Sequence, residues 1–274
     1  MLAISRRKVL ILASMVTLGK GEYLGENITR FESDGLTIVD TSYRQPVYSG
    51  WHSHHCAHLT LVLNGGNLEK RPRRELQLSS GQVVFYHHGE LHRNDHTLFP
   101  SRNINLELSE DFFLMSGLTP IQLEKAVAGR GLQAADIIRV LHELFYPGAD
   151  LQQTATMILG AAASAPLGRL EPDWVAVVRT FLEDNWYRWP GLVEIAEAAG
   201  VHPITISKSF SRYFSGTLSS YTRKLKVGRA VALIRSGKYS LTTVALMCGF
   251  ADQSHFIRAF KANTGLLPKA FERW

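Results

Sequence analysis

The 274-residue chain has only two cysteines, Cys56 and Cys248. Two thiols so far apart exclude a disulfide framework, and they lack the paired spacing of a zinc or redox motif, so a reducing, cytoplasmic location is expected. No apolar run reaches the roughly 20 residues that span a bilayer, so no membrane partner is expected. Arg6, Arg7 and Lys8 precede the apolar run Val9–Val16 in the manner of a short signal peptide, but no small-x-small cleavage site follows. A translation start at Met15 explains the same segment, and residues 1–20 are expected to lie outside the fold. The chain also lacks a nucleophile–base arrangement, a phosphate-binding glycine loop and a paired-acid motif. An enzyme is not expected.

Acid is the scarcest commodity in the C-terminal third. Asp252 is the one acidic residue between Glu197 and Glu272, while Lys208, Arg212, Arg223, Lys224, Lys226, Arg229, Arg235, Lys238, Arg258, Lys261 and Lys269 fall in the same interval. Residues 172–274 carry a net charge of +7 and residues 1–171 a net of −1. Such one-sided charge suits a polyanion, because each neutralised phosphate releases condensed counterions. A solvated basic face is the plainer explanation of charge alone.

The pattern of apolar residues divides the chain. Leu36–Tyr43, His58–Leu63, Gln82–Tyr86 and Asn103–Leu108 read as short strands, with a turn expected at Asn64, Gly65 and Gly66. Short strands with glycine turns predict a small antiparallel barrel or sandwich. Ile137, Leu141, Leu144 and Phe145 then mark an amphipathic helix ending near Pro147, and Leu151 to Ala163 a second. Ser164–Gly168 is the natural linker, and Asp173 to Trp186 opens an all-α region. The apolar surface of Leu141, Leu144, Ile158 and Leu159 would suit a homodimer or the chain's own barrel.

One internal repeat dominates the basic region. Ile195, Ala196, Gly200 and Val201 are matched 49 residues later by Val244, Ala245, Gly249 and Phe250. In a helix-turn-helix the helices cross closely, so the crossing point tolerates little more than a methyl group. The following tight turn requires positive φ, which Gly supplies without strain. Pro203 suits the first position of the next helix, and Asp252 can cap its counterpart. Ile206, Phe210 and Phe214 would face inward in one such helix, Phe256 and Phe260 in the other. The remaining faces are polar and basic, able to reach base edges and phosphates in a major groove. Between the units, Thr217 to Ser236 reads as one long helix, which can hold two recognition helices about one DNA turn apart, ~34 Å. Lys224 on that helix would be a phosphate contact.

From Leu192 to Trp274 the chain resembles the DNA-binding domain of the AraC/XylS family of bacterial regulators. The run from Gly249 through Asp252, Phe256, Arg258 and Phe260 to Lys261, followed by Thr264, Gly265 and Pro268, carries most of the likeness. The resemblance implies base-facing roles for Ile204, Ser207 and Lys208 in the first unit, with Arg212 beside them on the same polar, basic face. In the second it implies Gln253, Ser254, Ile257 and Arg258, with Lys261 on the same polar, basic face. Double-stranded DNA and RNA polymerase are the implied partners. Ile204 has no hydrogen-bonding group, so it offers contact only to a thymine methyl or a sugar. Ser215 stands where the family usually has Gly, with Gly216 adjacent.

His52 and His54 near Gly50, followed by Gly81, His87 and His92, resemble the two halves of the cupin signature. Metal-binding cupins also place a carboxylate shortly after the first pair; His58 is the only substitute here. Sensor domains of AraC-type regulators resemble cupins too, and the resemblance implies a small-molecule effector near His52, His54, Tyr86 and His92, without a cofactor. The alternative is a metal on His52, His54, His58 and His92, since imidazole suits Zn²⁺, Fe²⁺ or Ni²⁺, in the extreme a metal-dependent cupin enzyme fused to a DNA-binding module. The expected fold class is α+β. An antiparallel cupin-like β-barrel (residues 21–110) is followed by a helical pair (111–168, a linker or dimerisation region) and an all-α domain with two helix-turn-helix units (172–274).

Overall fold

The computed structural model describes residues 15–145, 148, 150–163, 171–214 and 216–273. The segment before residue 15, the Ser164–Gly168 linker, Pro147 and Ser215 lie outside the described residues. The chain forms two compact units that divide between residues 120 and 121.

The first unit is built from β1 (Val16–Leu18), β2 (Glu26–Ser33), β3 (Leu36–Tyr43), β4 (His52–His54), β5 (Ala57–Arg71), β6 (Arg74–Ser79), β7 (Val83–Tyr86), β8 (Arg93–Leu108) and helix α1 (Glu110–Ser116). Six strands make one antiparallel sheet in the order β2-β3-β8-β5-β6, with β7 also paired to β5. β1 and β4 form a separate parallel pair. A sheet region thus replaces the expected closed barrel: β2 and β6 stand at opposite ends of the strand order, and no pairing among the described residues joins them.

Two sequence expectations are corrected here. Asn64, Gly65 and Gly66 do not end a strand; β5 runs through them with register shifts against β8. Gly65 and Gly66 have φ of +77° and +140°, and a Cβ on Gly66 would stand 2.1 Å from the Leu78 carbonyl oxygen. The glycines therefore bend one long strand, so that its first half pairs with β7 and its second with β6. Val16–Leu18, expected outside the fold, pairs residue by residue with His52–His54.

The second unit is helical: α2 (Pro120–Ala128), whose first residue falls at the division, α3 (Ala134–His142), a 3₁₀ turn (Glu143–Phe145), α4 (Leu151–Ala163), α5 (Asp173–Asp184), α6 (Leu192–Ala198), α7 (Pro203–Phe214), α8 (Leu218–Arg235), α9 (Leu241–Met247), α10 (Gln253–Thr264) and α11 (Pro268–Glu272). Local chemistry sets their starts. Thr217, Ser240 and Asp252 each accept a hydrogen bond from the backbone N–H three residues on, at 3.2, 3.1 and 2.6 Å. Ile195, Ala196, Ile206, Phe210, Phe214, Tyr221 and Leu225 share one core with α5.

The helices before residue 168 are not a free-standing linker. α3 packs against α8 and α10. Asp136 accepts from the Gln133 N–H at 3.0 Å, which caps α3, and pairs with Lys224 of α8 at 2.9 Å. Leu141 and Leu159, half of the apolar surface considered for a dimer, are buried within the chain.

Candidate nucleic-acid interface and a histidine cluster

Both turns of the repeat have the backbone that their glycines imply. Gly200 has φ +63° and Gly249 φ +67°, and Ala196 and Ala245 are buried at the crossing points. The helices that follow present divided faces. In α7, Ile206, Phe210 and Phe214 are buried, while Ile204, Ser207, Lys208 and Arg212 are exposed. In α10, Phe256, Ala259, Phe260 and Thr264 are buried, Ser254, Arg258 and Lys261 are exposed, and Gln253 and Ile257 are half-buried. Thr242 donates to the Gln253 side-chain carbonyl at 2.7 Å, which orients that amide before any ligand arrives. All nine residues expected to face DNA thus stand off the buried stripe of their helix.

In the first unit, four buried histidines come together: His52 and His54 on β4, His58 on β5, and His92 just before β8. Candidate ligand atoms of His52, His54 and His92 lie within 4.8 Å of one another. Nδ1 of His52, His58 and His92 lies 3.1, 3.2 and 3.0 Å from the carbonyls of Gly50, Cys56 and Glu90. A carbonyl only accepts, so each Nδ1 carries the proton and each Nε2 keeps its lone pair. Burial, helped in His52 and His58 by the neighbouring His92, holds these rings neutral. The pKa of His52 and of His92 falls to about 4, and that of His58 to about 3. His54 is pushed down furthest, by burial and then by the three other imidazoles, and its Nδ1 is buried without a partner.

Neutral, oriented imidazoles and one orphaned nitrogen are the donor set that a borderline metal ion takes. Nitrogens around a tetrahedral zinc stand about 3.3 Å apart, so the three rings would have to draw together. The cavity they line, with Tyr23, Tyr86, Asn103 and Asn105, has a volume of about 30 Å³. That is room for a few waters, against roughly 300–1,000 Å³ for a metabolite pocket. Tyr86 lines the same cavity as the histidines, with its hydroxyl already engaged. Its hydroxyl donates to the buried Glu69, which also pairs with Arg71, and its ring stacks on His58 at 4.5 Å.

Residues 195–273 match a family model described as a helix-turn-helix domain. The transcriptional activator RhaS of Escherichia fergusonii is 23% identical over 243 residues, covering 80% of this chain and 85% of that protein. The activator AggR of Escherichia coli is 30% identical over 95 residues, 35% of each chain. The C-terminal region is an AraC-type DNA-binding domain. AggR and the other relatives matched over this domain alone are covered over about a quarter to a half of their own length. Among solved structures, ToxT of Vibrio cholerae superposes over 86% of this chain and 98% of its own, at 12% identity and TM-score 0.37. No helix among the described residues is long and apolar enough to cross a membrane.

Within the AraC-type domain, charge counting misjudged three bases. Lys224 is held by Asp136, and Arg235 donates to the Glu272 carbonyl at 3.2 Å, beside the end of α11. Lys226 is fully buried, with Nζ 2.9 Å from the Gly249 carbonyl oxygen. Burial lowers its pKa to about 8. A sequence signal for Lys226 existed: Thr222, Lys226, Ala230 and Ile234 step along one face four residues apart, and all four are buried.

Proposed function

We propose that the protein regulates transcription by inserting α7 and α10 into successive major-groove segments of double-stranded DNA. The N-terminal unit is its non-catalytic input domain, and RNA polymerase and a second copy of the chain are its further partners. The observation that carries the reading is the doubled unit itself: a buried alanine, a left-handed glycine, and a helix whose outer face is polar and basic in each copy. Sequence is read through base edges and affinity comes largely from phosphates. Selection of bound fragments from random DNA tests it. The expected result is one enriched motif with two half-sites about one helical turn apart. Binding without any enriched sequence sinks the proposal.

A second reading concerns the input, and the 30 Å³ cavity favours it. A small-molecule effector would require the cavity to open, whereas an ion on His52, His54 and His92 needs only that the three rings draw together. Either ligand must bind the DNA-competent and incompetent states unequally to act as a signal. Elemental analysis of protein purified without an affinity tag should find near-stoichiometric transition metal, lost in His54→Ala. Metal-free protein whose melting temperature ignores added Zn²⁺, Fe²⁺ and Ni²⁺ returns the input to a metabolite.

A further inference from the structure

We infer that Lys226 and Trp189 are positioning residues that set the angle between the two recognition helices, and with it the half-site spacing that the domain accepts. The inference rests on the DNA-binding reading above. Three parts of the fold meet at one atom, the carbonyl oxygen of Gly249. Lys226 Nζ, from the middle of α8, donates to it at 2.9 Å, and Trp189 Nε1, from the segment leading into α6, donates at 3.0 Å. The Lys226 ammonium also lies 4.1 Å from the centre of the Trp189 ring. A cation over an indole face and two donors on one acceptor make a junction with defined direction, which apolar packing lacks.

The junction joins the two helix-turn-helix units and not merely two neighbours in sequence. Trp189 moves with the first helix-turn-helix, because Arg188 next to it donates to Glu194 of α6 at 2.8 Å and to Asn185 at the end of α5. Gly249 is the turn that aims α10. On the same side, Tyr187 lies so close that a Cβ on Gly249 would fall 1.8 Å from its carbonyl oxygen. Lys226 cannot serve as a phosphate contact, since it is fully buried. Without the junction, the turn before α10 keeps its own shape but loses its tether to the segment before α6.

Half-site spacing reads this directly. Each base pair inserted between half-sites moves the second one by about 3.4 Å and turns it by roughly 35°. Lys226→Met keeps the apolar stem and removes the ammonium. Trp189→Phe keeps an aromatic face and removes the indole N–H at a position that is 43% exposed, where folding is not at stake. Affinity for the selected site, and for derivatives with one or two inserted base pairs, is measured by gel shift, with thermal unfolding in parallel. The wild type should lose about tenfold or more on one insertion, and the variants about threefold or less relative to their own uninserted site. An insertion penalty in Trp189→Phe equal to that of the wild type overturns the inference, however Lys226→Met behaves. So does a wild type indifferent to insertion. A wild type that enriches no sequence at all overturns the DNA reading and this inference with it.

Discussion

Gly249→Ala should destabilise the C-terminal unit by about 3 kcal/mol or more, whereas Gly200→Ala should cost only about 1 kcal/mol. The two glycines occupy equivalent turns with φ of +67° and +63°, so the left-handed penalty is common to both. Their surroundings differ. A methyl on Gly200 meets no atom within 4 Å, while one on Gly249 would lie 1.8 Å from the Tyr187 carbonyl oxygen and 2.7 Å from Lys226 Nζ. The first obstacle is backbone, which cannot rotate away as a side chain can. Relief requires moving the 185–191 segment or breaking the Lys226 junction. For a unit of this size, ~3 kcal/mol corresponds to a melting temperature lower by roughly 10 °C. Denaturant or thermal unfolding of the two variants side by side is the check. Equal effects would mean that the close approach at Gly249 is not as the structure has it.

Arg258→Ala should weaken binding to the selected site by about 1–3 kcal/mol, roughly 5- to 150-fold, and nearly spare nonspecific DNA. Arg258 is exposed on the outer face of α10 and makes no ion pair among the described residues, so its guanidinium is available to a guanine edge. Lys224→Ala is the informative contrast. Its ammonium already lies 2.9 Å from Asp136, so its removal should leave the salt dependence of binding unchanged, where loss of a phosphate contact would lower the slope by about one. Competition gel shifts over a salt series separate the two residues. If Arg258→Ala weakens specific and nonspecific binding alike, it is a phosphate contact and α10 is not read as proposed.

Much of the C-terminal domain could be read without coordinates because its determinants are short-range. Ala196 and Ala245, Gly200 and Gly249, the cap at Asp252, and the Phe210 and Phe256 faces all lie within a few residues of the feature each sets. The extent of α4, Leu151–Ala163, and of β3, Leu36–Tyr43, followed from periodicity alone. Reading failed where the partner was distant in sequence. Gly65 and Gly66 look like a turn until β6 and β8 are placed on either side of them. Lys224 and Lys226 look like solvent bases until Asp136 and Trp189 arrive.

The sequence by itself determined that a small residue and a glycine recur at a fixed offset and that each recurrence leads into a helix with one apolar and one basic face. These follow from steric and hydrogen-bonding rules that act over one or two turns of chain. Tertiary structure alone decided that α3 braces the DNA-binding helices through Asp136, that the Tyr86 hydroxyl is taken by Glu69, and that the histidine cavity is about 30 Å³. It also decided that a lysine lies buried where the two helix-turn-helix units meet. The reason is physical: the fate of a charge or the size of a void depends on which groups are brought against it, and those groups come from elements up to about ninety residues away, as Asp136 and Lys224 do.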